Sequence, residues 1–190
     1  MIKKCFMLVA YMCFSCTAMA VDIGDKRNMF AAAVSFGGDD LGDGLSGGGD
    51  ISLLYGRTFP LNHGVQFQLN AGIKNDYVAA SNGDIWFYRF PLEALFFKKF
   101  DRYRFGAGPV YHLKPKYEAT LSNGSSVIDF RSAVGLAFQA DQFLSSRLST
   151  GLRLEYITYT PKQFIYNTQT NVVMHSVNGS SLGVFIRYHF

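Results

Sequence analysis

Between residues 65 and 74 apolar and polar side chains alternate without a break. Val65, Phe67, Leu69, Ala71 and Ile73 fall on one face; Gln66, Gln68, Asn70, Gly72 and Lys74 fall on the other. Successive side chains of an extended chain point to opposite sides, so this segment predicts a strand with one apolar and one polar wall. The same period recurs over 103–114, 129–139 and 148–156. It recurs again at the end of the chain, where Leu182, Val184, Ile186, Tyr188 and Phe190 oppose Gly183, Phe185, Arg187 and His189. Segments 29–36, 51–59 and 85–97 complete a predicted set of eight strands. Long links (37–50, 75–84, 115–126, 161–180) alternate with short ones (60–64, 98–102, 141–146). Strands near ten residues suit a tilted membrane crossing. Long links alternating with short turns suit an up-and-down barrel with its loops on one side.

A soluble sandwich or lipocalin-like barrel also alternates, but it turns its large apolar side chains inward. Here Phe, Tyr and Leu occupy one wall, while Gly, Ala, Arg and Glu occupy the other. Small and charged residues suit a narrow interior, and bulky apolar ones suit lipid. The expected fold class is therefore all-β, an eight-stranded antiparallel transmembrane barrel. Phe30, Phe59, Phe96, Tyr103 and Phe190 are expected in a lower aromatic girdle, and Trp86, Tyr88, Tyr111 and Tyr156 in an upper one. Pro91 and Pro109 fall inside strands, where each removes a ladder hydrogen bond, and predict bulges or bends.

The first twenty residues read differently. Lys3 and Lys4 precede the apolar run 5–14, and Ala18-Met19-Ala20 forms an A-x-A cleavage site, the pattern of a secretory signal peptide. Residues 21–190 are expected to form one domain. Cys5, Cys13 and Cys16 all lie in the leader, so a mature chain would hold neither disulfides nor metal thiolates. Lipid attachment at Cys16 is the weaker reading, because Cys13-Phe14-Ser15 is a poor lead-in. The 190-residue chain is 48% hydrophobic, 16% aromatic and 17% charged, too apolar for disorder. Its net charge of +4 includes Lys3 and Lys4, and the small dispersed remainder argues against a nucleic-acid partner.

The alternating aromatic C-terminal strand ending in Phe190 resembles the assembly signal of bacterial outer-membrane barrels. With that pattern, residues 29–190 are similar to the small eight-stranded class that includes the transmembrane domain of outer-membrane protein A and the OmpX/Ail group. The resemblance implies export and handling by periplasmic chaperones, then insertion by the barrel-assembly machinery. It implies a monomer in the outer membrane of a Gram-negative bacterium, among phospholipid and lipopolysaccharide, with no cofactor. It also suggests structural or surface-interaction roles through the loops, with the partner at the loops left open.

Eight strands leave an interior just wide enough for side chains, which argues against a wide pore. By parity the interior receives Lys74, Arg89, Glu93, Arg104, His112, Lys114, Asp129, Arg131, Arg153, Glu155 and Arg187. Buried charges must be paired, so Glu93 and Glu155 are expected to accept from several of Arg104, Arg131, Arg153 and Arg187. A structural plug is the main reading of this set; a narrow ion path or an anion site using the basic excess is the alternative. Lipid A-modifying enzymes also use barrels this small. The deacylases among them carry His-x-Ser with a separate carboxylate; here His175 and Ser176 are adjacent, and neighbours on a strand face opposite ways. No catalytic set is expected. The Gly/Asp-rich link 37–50 has hard oxygen ligands suited to calcium, but it is a single copy and reads first as a solvated loop. Lys114, Lys116 and Lys162 near the outer rim can meet lipopolysaccharide phosphates.

Overall fold

A computed structural model describes residues 27–42, 45–80, 83–122, 124–166, 169–170 and 175–190. The expected leader, with Ala18 and Ala20, lies outside the described residues. The chain forms β1 (Asn28–Phe36), β2 (Asp50–Pro60), β3 (Val65–Ala80), β4 (Gly83–Phe100) and β5 (Tyr103–Leu121). It continues as β6 in two pieces (Gly124–Phe130 and Ala133–Phe143), β7 in two pieces (Leu148–Tyr159 and Pro161–Tyr166) and β8 (Ser181–His189). Each strand pairs antiparallel with the next, and β8 returns to β1 through Phe30↔Tyr188 and Val34↔Val184. The sheet is an eight-stranded barrel closed on itself, which leaves no open edge to be satisfied in lipid.

Two segments expected as loops are paired strand. β3 and β4 continue to the pair Ala80↔Gly83, and β5 and β6 to Leu121↔Gly124. These hairpins rise beyond the outer aromatic girdle, where Trp86 stacks on Tyr88 and packs tilted against Tyr77. At the other end Phe30 packs on Phe190 and Tyr55, and Phe67 on Phe59 and Phe96.

The walls are those of a barrel turned toward lipid. Leu53, Leu69, Leu92, Phe105, Leu136, Leu152 and Ile186 are exposed on the outside, while Lys74, Arg89, Glu93, Arg104, Arg153, Glu155 and Arg187 are buried within. A soluble lipocalin-like barrel would show the reverse.

The inside-outside alternation breaks at one level. Below it, even positions of β5 face inward (Arg104, Val110, His112); above it, odd ones do (Tyr117, Ala119). The shift occurs at Lys114-Pro115, where β4 advances from Tyr88 to Phe90 while β5 passes from Lys116 to Leu113. Lys114 takes a positive φ of 36°, and its N–H donates to Ser132 Oγ at 3.1 Å. β6 breaks opposite, at Arg131-Ser132, and switches from odd to even inward positions, Ala133 to Phe130. β7 breaks at the same level, between Tyr159 and Pro161, with a register shift at Pro161/Gln163. Pro109, expected to bulge, keeps its register with Leu136 and faces outward; Pro115 carries the irregularity instead.

Candidate functional site: the filled lumen and its first-loop plug

The parity switch corrects the expected interior set. Lys114 and Arg131 are exposed outside, and Asp129 lies half-buried opposite Lys116. Two carboxylates join the interior instead. Asp50 continues the inward even positions of β2, and Asp141 the inward odd positions of β6 past Gln139. Both fall within predicted links because the strands run longer than their apolar runs. The strand-borne charges inside are thus five cations (Lys74, Arg89, Arg104, Arg153, Arg187) and four carboxylates (Asp50, Glu93, Asp141, Glu155), with His112 beside them. The basic excess on which an anion site would rest is nearly gone.

These groups form two joined clusters. Near the turn end, Asp141 Oδ2 accepts from Arg104 Nε and Arg187 at 2.5 Å each, and its Oδ1 accepts from Gln139 at 2.7 Å. Arg104 and Arg187 therefore pair with Asp141, not with Glu93 or Glu155 as expected. Arg104 lies over the ring of Phe97 at 4.1 Å, and Arg187 over Phe185 at 4.8 Å. In mid-barrel Arg153 spans Glu93 and Glu155, both at 2.8 Å. Glu155 also meets Lys74 at 3.0 Å and His112 at 3.2 Å. Gln68 and Asn70 couple the clusters: Gln68 accepts from Arg104 and donates to Asn70, and Asn70 donates to Glu93, each at 2.8 Å. Pairing of this kind is what lets charges stay ionised away from water.

The chain of contacts climbs to the mouth. Lys74 reaches Asp50 at 3.4 Å, and Asp50 reaches Arg89 at 3.6 Å. Arg89 stacks on Phe87 at 4.5 Å and donates to the carbonyls of Gly47, at 2.8 Å, and Gly49. The second half of the first loop is thus folded into the barrel: Leu45 and Gly47 to Asp50 are buried. This corrects the solvated-loop reading. The loop is tied down by Gly48 N–H to Gly37 O (3.0 Å), Gly47 N–H to Asp39 O (2.8 Å) and Asp39 Oδ2 accepting from Asn178 N–H (2.8 Å). A Cβ on Gly48 would sit 2.4 Å from Ser180 O, so only glycine admits this approach. Asp39 accepts a loop hydrogen bond and Asp50 is held by ion pairs with Lys74 and Arg89, and no group of three potential metal ligands occurs among the described residues.

Beneath the outer hairpins the lumen is apolar. Leu45, Ile85, Phe87, Tyr117, Ile128, Phe130, Ile157, Tyr159 and Val177 pack into one cluster. Tyr159 Oη lies 2.7 Å from His112 Nδ1, linking this cap to the charges below. Sequence reasoning missed it because Tyr117 falls in a segment that reads as a link, Ile128 precedes the predicted strand, and the parity switch puts Phe130 on the apolar outer wall.

Of the enzyme candidates, His175 and Ser176 are exposed. A Ser–His pair does exist: Ser149 Oγ lies 3.0 Å from His189 Nε2, but both are buried in the lumen against Phe143. Leu182, Ile186 and Tyr188 on β8, and Phe190 just past its end, are exposed on the outside, with Val184 half-buried among them.

A closed ring of eight strands, an apolar exterior and a charged interior define an outer-membrane β-barrel. No family model and no curated protein matches the chain. Solved structures do. The chain is similar to outer membrane protein H (OprH) from P. aeruginosa, at 14% identity and a TM-score of 0.50, covering 86% of this chain and 99% of that one. Neisserial surface protein A (NspA) matches at 14% identity and TM-score 0.48, covering 86% and 95%. Ail, the attachment invasion locus protein of Yersinia pestis, matches at 11% and 0.45, covering 87% and 99%. At these identities the likeness is one of fold.

Proposed function

We propose that the protein is a non-enzymatic surface protein of the Gram-negative outer membrane, exported with loss of residues 1–20, that acts through its extracellular end. The observation that carries this reading is the occupied lumen. Charges, an apolar cap and the first loop fill it, so at the extracellular end the accessible polar surface is that of the outer rim and hairpins rather than of a lumen. The parity switch adds to that surface by bringing Lys114 and Arg131 outside, on adjacent strands, with Lys162 exposed on β7. Cations at this level suit the phosphates of lipopolysaccharide. Lys116 is engaged by Glu118 and is not needed for the argument.

The test compares the barrel with a Lys114→Ser/Arg131→Ser/Lys162→Ser variant in binding lipopolysaccharide-containing vesicles. The expected result is about tenfold weaker, less salt-dependent binding in the variant. Equal binding overturns the lipopolysaccharide contact. A lipid A mass spectrum that changes when the gene is removed would restore the enzyme reading, and steady single-channel conductance in a planar bilayer would restore the ion path.

A further inference from the structure

On the lipid-facing side, an apolar groove of about 710 Å³ crosses the barrel from β2 to β6. Ala71, Ala94 and Pro109 form its floor, Leu69 and Leu92 stand as ridges, and Val134 closes the far end. Its near end holds Arg57, exposed on the outer face of β2 between Tyr55 and Phe59. Arg57 lies over the Phe59 ring at 5.7 Å, and no carboxylate pairs with it among the described residues. A cation on the lipid face near the interface lays its stem along the apolar surface and carries its charge to headgroup level, where an anionic phosphate can pair with it.

The groove has a direction. Arg57 lies three residues from the turn end of β2, whereas Val134 lies nine residues from the turn end of β6. The groove therefore starts near the periplasmic rim and climbs toward the middle of the membrane. Four inter-strand spacings make it about 19 Å long, comparable with the ~15 Å depth of one leaflet's hydrocarbon. A neighbouring groove of about 610 Å³, floored by Ala32 and Ala71 between Phe30, Leu53 and Ile73, has no outward-facing charge.

We infer that the first groove is a binding site for one phospholipid of the periplasmic leaflet, its phosphate on Arg57 and one acyl chain lying over Ala71, Ala94 and Pro109. The polarity selects this occupant. The cation is at the periplasmic end and the apolar track leads to the bilayer centre, the orientation of an inner-leaflet lipid and the reverse of lipopolysaccharide.

The test is native mass spectrometry of the whole barrel refolded into non-ionic micelles, with phosphatidylglycerol or the diacylglycerol of the same chains added. One phosphatidylglycerol should stay bound, about tenfold more than the diacylglycerol. Arg57→Gln and Ala94→Trp should each cut retention by about as much, and Ala32→Trp, in the second groove, should leave it unchanged. Migration with and without boiling shows that each variant is folded; should Ala94→Trp fail there, Arg57→Gln and the diacylglycerol comparison decide alone. Equal retention by the Arg57→Gln variant, equal retention of the diacylglycerol, or displacement by equimolar lipid A would each overturn the site.

Discussion

Arg89 and Gly47 stand 42 residues apart in sequence, yet the guanidinium of one donates to the carbonyl of the other at 2.8 Å. That bond joins the barrel wall to the loop in its mouth. Arg89→Met would remove it and leave Asp50, 4% exposed, with Lys74 as its one remaining cation. Breaking a buried pair from one side costs about 3–5 kcal/mol. The temperature at which the unboiled gel form disappears should fall, and an external protease should cleave the first loop on intact cells. A loop that stays resistant would show that the glycine backbone contacts hold it unaided.

Arg153 and Glu93 should behave as a coupled pair. Arg153→Met and Glu93→Gln are each expected to destabilise the barrel, while the double variant loses less than their sum by roughly 1–3 kcal/mol. Urea unfolding of protein refolded into vesicles measures this. Strict additivity would mean that Glu155 carries Arg153 alone.

Gly48→Ala forces a methyl group against Ser180 O and should cost about 1–3 kcal/mol while displacing the loop. Gly64→Ala, at a φ of +72° where a Cβ would lie in ordinary contact with Lys99 O at 3.5 Å, should cost about 1 kcal/mol and leave the mouth unchanged. Protease sensitivity of the first loop should follow the first variant and not the second.

Lys114→Gly relieves a left-handed backbone at the bulge and should raise stability by about 1 kcal/mol, while weakening the lipopolysaccharide contact. A loss of stability would indicate that the lysine stem itself packs there.

Deleting Phe190 removes its stacking on Phe30 at 5.4 Å and the last outward aromatic of β8. The boiled-versus-unboiled shift should disappear in the outer-membrane fraction. A truncated chain that still shifts would show that Tyr188 and the residues before it suffice for assembly.

The fold was legible because period-two alternation in Val65–Ile73 and Leu182–Phe190 is a local signal that needs no knowledge of partners. The interior charges were legible wherever parity ran unbroken, as for Arg89, Glu93, Arg153 and Glu155. They were misplaced where it did not: Lys114, Asp129 and Arg131 lie at or beyond a bulge whose position depends on neighbouring strands. Asp50 and Asp141 were missed because strand ends set by pairing extend past the apolar run that announces them. The burial of Gly47 and Gly48 was hidden for a further reason. A glycine-rich loop looks the same in sequence whether it is solvated or packed backbone to backbone.

The break at Lys114-Pro115 faces the break at Arg131-Ser132, and the β5–β6 register is the same above and below them, with His112↔Ala133 and Lys116↔Asp129 on one count. Removing one residue from either strand alone would turn every side chain above that point to the opposite wall, putting Asp129 into the apolar cap and Phe130 or Tyr117 outside. Keeping both walls intact therefore takes a matched change in the two strands, because a one-residue slip in a strand reverses its faces.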